Sequence, residues 1–520
     1  MALTHQNSNS PESEVPGTGI EAPSSSTITE QYDPSSSEQN IETKPETPKE
    51  EEISSENTVD FDGPSDLTKP TNWPLGKKII TTVLYGMTTG GSTWASSVYT
   101  SAGDSIAEEF GIGSVVSTLG LTLFLLGFGI GPLLWGPLSE AYGRKIAVLP
   151  QYFIAACFCF GTAAAKDIQT VMITRFFTGF FGSAPVTNTG GKTPSHFLER
   201  KLTAILGYSM SVVGGPMLAP LAGAAIIQNS ASWRWVFYMT GILMMTIFFF
   251  AVLLVDESSA PIILTNKAAR LRRETNNWAL HSKHEEIGVD FDRLFKKYLI
   301  RPWQLLATPI CFFMVLYASF VYGIVYLNFA AFAIEFQSAR GWSQVITSLP
   351  FIAIFIGCFF SGLFIIYNQQ YYSAQFKANG NKPVPEARLR SMMIGGIVMV
   401  MALFVFAWTS DPRISWVGPC IGALMMGFGF FSIFQASTNY LVDTFQTYAA
   451  SALAANTLMR NIFAATFPLF TSQMYEKLGI DWAGSLLGFV ALAMVPIPFI
   501  FSIYGKRIRA RGEWSKGSTL

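Results

Sequence analysis

Charge is scarce in this sequence. Only 13% of its 520 residues are Asp, Glu, Lys or Arg, while 50% are hydrophobic and the mean hydropathy is +0.33. An ordinary soluble domain carries about 25% charged residues. The deficit excludes a soluble enzyme, a nucleic-acid binder and a disordered scaffold. Histidine is nearly missing too. His5, His196, His281 and His284 are the full set, and with no clustered Asp or Cys they form no metal or nucleophile–base group, which argues against a membrane enzyme or receptor. Cysteine is sparse: Cys157, Cys159, Cys311, Cys358 and Cys420 all fall in apolar runs without ligand spacing. They read as small buried hydrophobes, not as a disulfide framework. No basic n-region and apolar h-region open the chain, so the first span is expected to serve as the membrane signal.

What the sequence has instead is Phe (43), Gly (44) and recurring apolar runs of about twenty residues, each long enough to cross a bilayer. The reading is an all-α polytopic membrane protein. Twelve spans are expected, near 77–98, 115–136, 146–165, 171–190, 203–228, 235–255, 306–330, 344–366, 391–410, 415–441, 449–473 and 483–504. The domains follow from them. Residues 1–72 are an acidic cytosolic tail, with thirteen acids against two lysines in the first sixty residues, too polar to bury a core and expected to be disordered. Residues 73–255 form an N-terminal six-helix half, 256–303 a cytosolic central loop, 304–505 a C-terminal six-helix half and 506–520 a basic tail. Two similar halves joined by a long polar linker suit a transporter built from repeats.

Basic residues gather in the even-numbered loops, from Arg144 and Lys145 through Lys267–Arg301 to Lys506–Lys516. The odd loops are poor in them, so both termini are expected in the cytosol. The loop after span 10 breaks the pattern, with Asp443 and no basic residue.

Three constellations carry the chemistry. The first runs from Gly136 through Glu140 and Gly143 to Arg144 and Lys145 at the end of span 2. Its glycines permit a tight turn. Its carboxylate can bind a helix terminus or a cation across an interface, or the segment is a plain inside-positive turn. The second is span 5, where Gly207, Ser211, Gly215, Ala219 and Gly223 recur every four residues with Pro216 and Pro220 inserted. Small residues at that spacing let two helices approach closely, and prolines favour a bend. A static seam and a rocking interface look alike here. The third is charge inside the membrane: Arg175 in span 4 and Arg460 in span 11. A buried cation faces a wet cavity or a partner, whereas one near the interface can snorkel. Asp104, Glu335 and Asp443 are the candidate acidic partners, each also readable as a helix-end charge. Asn188, Asn328, Gln435 and Asn439 are polar candidates for a cavity lining, or for bonds between helices. Trp233-Arg234-Trp235 suits the headgroup region as an interfacial anchor.

On these residues the chain resembles a fungal major facilitator superfamily transporter of the twelve-span drug:proton antiporter family, which includes multidrug and polyamine exporters. The resemblance covers about 73–510. It rests on Pro137-Leu138-Ser139-Glu140-Ala141-Tyr142-Gly143-Arg144, on Arg175 with Gly179, on Gly215-Pro216, on Trp233-Arg234-Trp235 and on Ser451–Asn456. It departs at Glu140, where the wider superfamily has Asp, and at Ser211 and Ala219-Pro220, where the signature has glycines. After Gly191 the chain reads Lys192-Thr193-Pro194-Ser195 where relatives place an aspartate.

The resemblance implies the superfamily fold and a proton-coupled efflux antiporter for small amphipathic compounds, such as drugs, fungicides or toxins. Arg175 is implied in proton transfer, the Glu140 loop in gating and Gly215-Pro216 in antiport. No cofactor is expected beyond the proton gradient. The expected partners are a small-molecule substrate, protons and the lipid bilayer, with no nucleic acid, and the protein is expected to be monomeric. The expected location is the plasma membrane, with the vacuolar membrane as alternative. The rival function is a proton-coupled polyamine or nutrient transporter.

Overall fold

In hydrocarbon a backbone must satisfy its own N–H and C=O groups, so apolar runs of this length fold as helices in spite of their Gly and Pro. A computed structural model of the chain describes residues 57–186, 198–229, 232–287, 296–380 and 382–515, with 198–209 and 297–298 described by their backbone alone. Every expected span falls on a helix among the described residues, the end of span 4 (187–190) lying outside them. They are α1 Leu75–Ser97, α2 Ser114–Tyr142, α3 Arg144–Ala163, α4 Ile168–Gly182, α5 Leu198–Asn229 and α6 Arg234–Leu254, then α7 Pro309–Phe332, α8 Pro350–Ala378, α9 Leu389–Thr409 and α10 Val417–Thr444. The helical stretch Ala449–Met494 breaks at Gly479 (φ 76°), which separates α11 (449–478) from α12 (480–494, prolonged by Pro496–Arg511).

Among the described residues, nine helical stretches are long and apolar enough to cross a bilayer alone. α1 is diluted by Thr, Ser and Gly, α4 has only 15 described residues, and α11 and α12 count as one stretch over 446–511. Large side chains such as Phe249, Leu253, Phe359, Phe489 and Ile503 point outward from the bundle. This is the arrangement that lipid, not water, accommodates.

The two halves repeat one packing scheme. α1 packs on α5, α2 on α4 and α3 on α6; correspondingly α7 packs on α11, α8 on α10 and α9 on α12. The α2–α4 crossing is reciprocal. A Cβ on Gly127 would strike the Phe176 carbonyl, and one on Gly179 the Phe124 carbonyl. The second half repeats this at α8–α10, where Gly357 faces the Leu424 carbonyl and Gly427 the Ile354 carbonyl. The halves meet along α2–α11 and α5–α8.

The tail and central loop differ from expectation. Residues 57–72 were grouped with the disordered tail, yet Thr58 bridges His281, Val59 is buried and Lys267 Nζ lies 2.7 Å from Asp62 Oδ1. The central loop supplies the partner surface. It forms a helix, Ala260–Thr275, that carries Lys267, and Arg272 ties it to Glu285 at 2.7 Å.

Candidate functional site

Arg175 is fully buried. Its position on α4 aims the side chain at the last turn of α1, where helix carbonyls run short of intrahelical donors. Nη1 donates to Ala95 O at 2.7 Å, Nη2 to Ser96 O at 3.1 Å and Nε to Gly120 O of α2 at 3.2 Å. The rings of Phe124 and Tyr99 lie 4.5 and 4.9 Å from the guanidinium. A fork of donors, the negative end of a helix dipole and two π faces thus hold the charge without a carboxylate. This excludes snorkelling, since the side chain joins three helices at depth.

None of the three candidate acids serves Arg175. Glu335 pairs with Arg340 at 2.8 Å. Asp443 accepts from Arg388 Nε at 3.0 Å and from the Tyr372 hydroxyl at 3.0 Å, so the acidic loop after span 10 is met by the basic loop before α9. Asp104 sits exposed on the helix Tyr99–Phe110 that prolongs α1.

A chain of hydroxyls leads from Arg175 into the other half. Ser96, whose carbonyl accepts from Arg175, places its Oγ 3.0 Å from the Tyr326 hydroxyl of α7. Tyr326 and Tyr322, one turn apart, have hydroxyls 3.5 Å apart. The Tyr322 ring lies 4.6 Å from the Arg460 guanidinium, with the Phe434 ring 5.0 Å away on the far helix α10. Two buried arginines, one from each half, are therefore joined across the middle of the protein by Ser96, Tyr326 and Tyr322. Nothing in the periodicity of the sequence separates these three from ordinary helix residues.

The other polar candidates divide. Asn328 is buried and places Nδ2 3.5 Å from Met426 Sδ, so it bonds α7 to α10. Gln435 Nε2 donates to Asn439 Oδ1 at 3.4 Å along α10, beside Phe434. Asn188 lies outside the described residues, as do Lys192–Ser195.

The signature loop has a further participant. Gly136 is buried within α2, and Gly143 turns the chain into α3 with φ 98°, a conformation that favours glycine. Glu140 is exposed at the end of α2. The carboxylate on the first turn of α3 is Glu257. It accepts from the backbone N–H groups of Arg144 (3.1 Å) and Lys145 (3.0 Å) and from those of Ser258 and Ser259. A Cβ on Gly143 would lie 2.6 Å from Glu257 Oε2. The signal available in the sequence is an acid immediately after span 6.

The small-residue face of α5 lies against α1. A Cβ on Gly215 would come within 2.5 Å of Gly90 O and of Thr93 Oγ1, and one on Gly223 within 2.8 Å of Ser101 Oγ. Pro216 is buried in the same helix, and the surroundings of Gly207 lie outside the described residues. The seam is thus internal to the first half. The contact across halves uses the next residue, Gly214, against Phe355 of α8.

The Trp-Arg-Trp segment is only partly an anchor. Trp235 is exposed, but Trp233 is buried and donates Nε1 to Glu109 at 2.7 Å, while Arg234 grips the same carboxylate with both Nη atoms at 2.9 and 2.7 Å.

Comparison with known proteins agrees with this architecture. Residues 83–468 match the family model described as Major Facilitator Superfamily. The "Efflux pump bik6" of Gibberella fujikuroi is 48% identical over 473 residues, covering 91% of this chain and 98% of the relative. The "Major facilitator superfamily multidrug transporter FLU1" of Candida albicans is 39% identical, covering 88% of this chain and 76% of the relative. Among solved structures, the proton:xylose symporter XylE superposes with a TM-score of 0.56 at 15% identity, over 82% of this chain and 96% of that one.

Proposed function

The chain belongs to the major facilitator superfamily and is a transporter, not an enzyme, and on that premise we propose that it is a proton-coupled antiporter exporting small amphipathic compounds. The observation that carries the reading is the Arg175–Ser96–Tyr326–Tyr322–Arg460 chain. It places charge, hydroxyls and aromatic faces at the meeting point of two halves that repeat one packing scheme. Alternating access needs such a point, since a substrate bound there touches both halves and its binding free energy can favour one arrangement over the other. The outward direction is supported by relatives named as an efflux pump and a multidrug transporter.

Energy comes from the proton gradient, with no other cofactor. One proton entering down about 100 mV releases roughly 2.3 kcal/mol. We place the protein in the plasma membrane as a monomer, with both termini and the central loop cytosolic. The experiment is direct. Overexpression in yeast should lower cellular accumulation of a hydrophobic toxicant, and a protonophore should abolish the effect. Accumulation that rises on overexpression would make the protein an uptake system.

A further inference from the structure

Four charged residues are buried among the described residues: Arg175, Glu335, Arg460 and Arg509. Three are compensated. Arg175 donates to three carbonyls, Glu335 pairs with Arg340, and Arg509 pairs with Glu386. Arg460 stands apart. It is 7% exposed, forms no ion pair among the described residues, has an Nε that, like that of Arg509, lacks a hydrogen-bond partner, and lies against the faces of Tyr322 and Phe434. A guanidinium offers five N–H donors in a planar fork. Leaving the buried Nε–H unanswered inside a membrane protein is costly, and the cost falls when an anion enters.

The surroundings have the form of a receptor for such an anion. Asn456 sits one turn before Arg460 on the same face of α11 and is 2% exposed. Aromatic rings continue the wall. Tyr322 lies 6.0 Å from Phe430, and Phe430 stacks on Phe434 at 5.8 Å. An oxyanion set on the fork of Arg460 would leave the rest of its molecule against these rings.

We propose that Arg460 is the anion-binding residue of the transport pathway and that the transported compounds are aromatic molecules bearing an ionised carboxylate or phenolate. The proposal rests on the export reading for its biological direction, but not for the binding itself. Arg460 forms a charge-assisted, bidentate contact with the acid group. Asn456 donates to it through Nδ2, and Tyr322 and Phe434 flank the aromatic body. Neutral analogues of the same shape lose the fork and bind weakly; cations are repelled.

The test uses the full chain in lipid nanodiscs, with 1-naphthoate and 1-naphthamide as probes that share a ring system and differ in charge. Binding is read from the shift in thermal unfolding midpoint over a concentration series. The wild type should bind naphthoate about tenfold or more tightly than naphthamide. Arg460→Gln should erase that preference while leaving naphthamide binding unchanged, and Arg460→Lys should restore part of it. Equal affinity of the wild type for the two probes overturns the proposal and needs no variant to fold. So does naphthoate binding that survives Arg460→Gln undiminished. Naphthoate selectivity in nanodiscs without efflux from cells upholds the anion site and refutes export alone. Efflux from cells with no selectivity in nanodiscs refutes the anion site alone.

Discussion

Thr93 Oγ1 of α1 lies 3.0 Å from the carbonyl oxygen of Val212 on α5. That carbonyl is the one whose usual donor, four residues on, is Pro216, which has no N–H. A hydroxyl from the neighbouring helix, equally 3.0 Å from the Gly90 carbonyl of its own helix, is thus placed to supply what the proline withholds, at the level where Gly215 lets the backbones meet. The gap that Pro216 leaves in the hydrogen-bond ladder of α5 and the close approach of α1 are one device.

Thr93→Val keeps the shape and removes the donor, so it should lower stability by about 1–2 kcal/mol by leaving a buried carbonyl unpaired. Thr93→Ser should be close to wild type. Pro216→Ala in the Thr93→Val background should recover part of the loss by restoring the internal N–H. Thermal unfolding of the purified variants measures all three, and additive effects would mean that the two residues are not coupled. Gly215→Val should separate the helices and abolish export in the toxicant assay.

Arg175 binds backbone on two helices through three separate N–H vectors. A lysine ammonium cannot reproduce that fork. Arg175→Lys should therefore unfold several degrees earlier than the wild type, and Arg175→Ala should lose about 3 kcal/mol or more through orphaned carbonyls and an unfilled space. Export should fall in both. An unfolding midpoint unchanged in Arg175→Ala would show that the arginine is peripheral after all.

Glu257→Ala strips the acceptor from four backbone N–H groups, two of them in the first turn of α3. The expected loss is that of a helix N-cap, about 1–2 kcal/mol. Glu257→Gln keeps an acceptor without the charge and should lose less. Hydrogen exchange at Arg144 and Lys145 is the local readout, and protection that stays at wild-type level in Glu257→Ala would rule out the cap.

The Glu109 latch gives a pH signature. The Arg234 guanidinium first, and then the Trp233 indole N–H, hold the Glu109 carboxyl below its usual value of 4.5. A depressed folded pKa means stabilisation that is present above the unfolded value and is lost as pH falls through the folded one. The stability gap between wild type and Glu109→Gln should stay level from about pH 7 to about pH 5 and close only below about pH 4.5. A gap that closes at neutral pH would show that the carboxylate is not held by Arg234.

The helices were legible because hydrocarbon leaves the backbone no alternative, and because small residues every four positions in α5 mark a packing face in any solvent. Partners were not. The acids considered for Arg175 were sought as counter-ions, whereas the structure answers it with carbonyls of α1 and α2, which every residue possesses and no side-chain pattern reveals. Glu257 and Glu109 escaped for a related reason. Each acts on groups over a hundred positions away in the chain, on backbone N–H in the first case and on Trp233 and Arg234 in the second. Trp233 was read as a headgroup residue from its type, and burial against Phe110 and Phe237 reversed that reading.

The reciprocal glycines set the size of the moving parts. Gly127 and Gly179 each receive a carbonyl of the other's helix, as do Gly357 and Gly427, so neither helix of a pair can slide or roll without driving backbone into backbone. α2 with α4, and α8 with α10, must travel as double beams. Displacement then concentrates where the halves touch through single, exchangeable bonds: Thr122 of α2 to the Ala465 carbonyl, and Ser96 of α1 to Tyr326 of α7. A gate built this way has stiff leaves and a weak line of closure, and its opening is limited by the few bonds along that line.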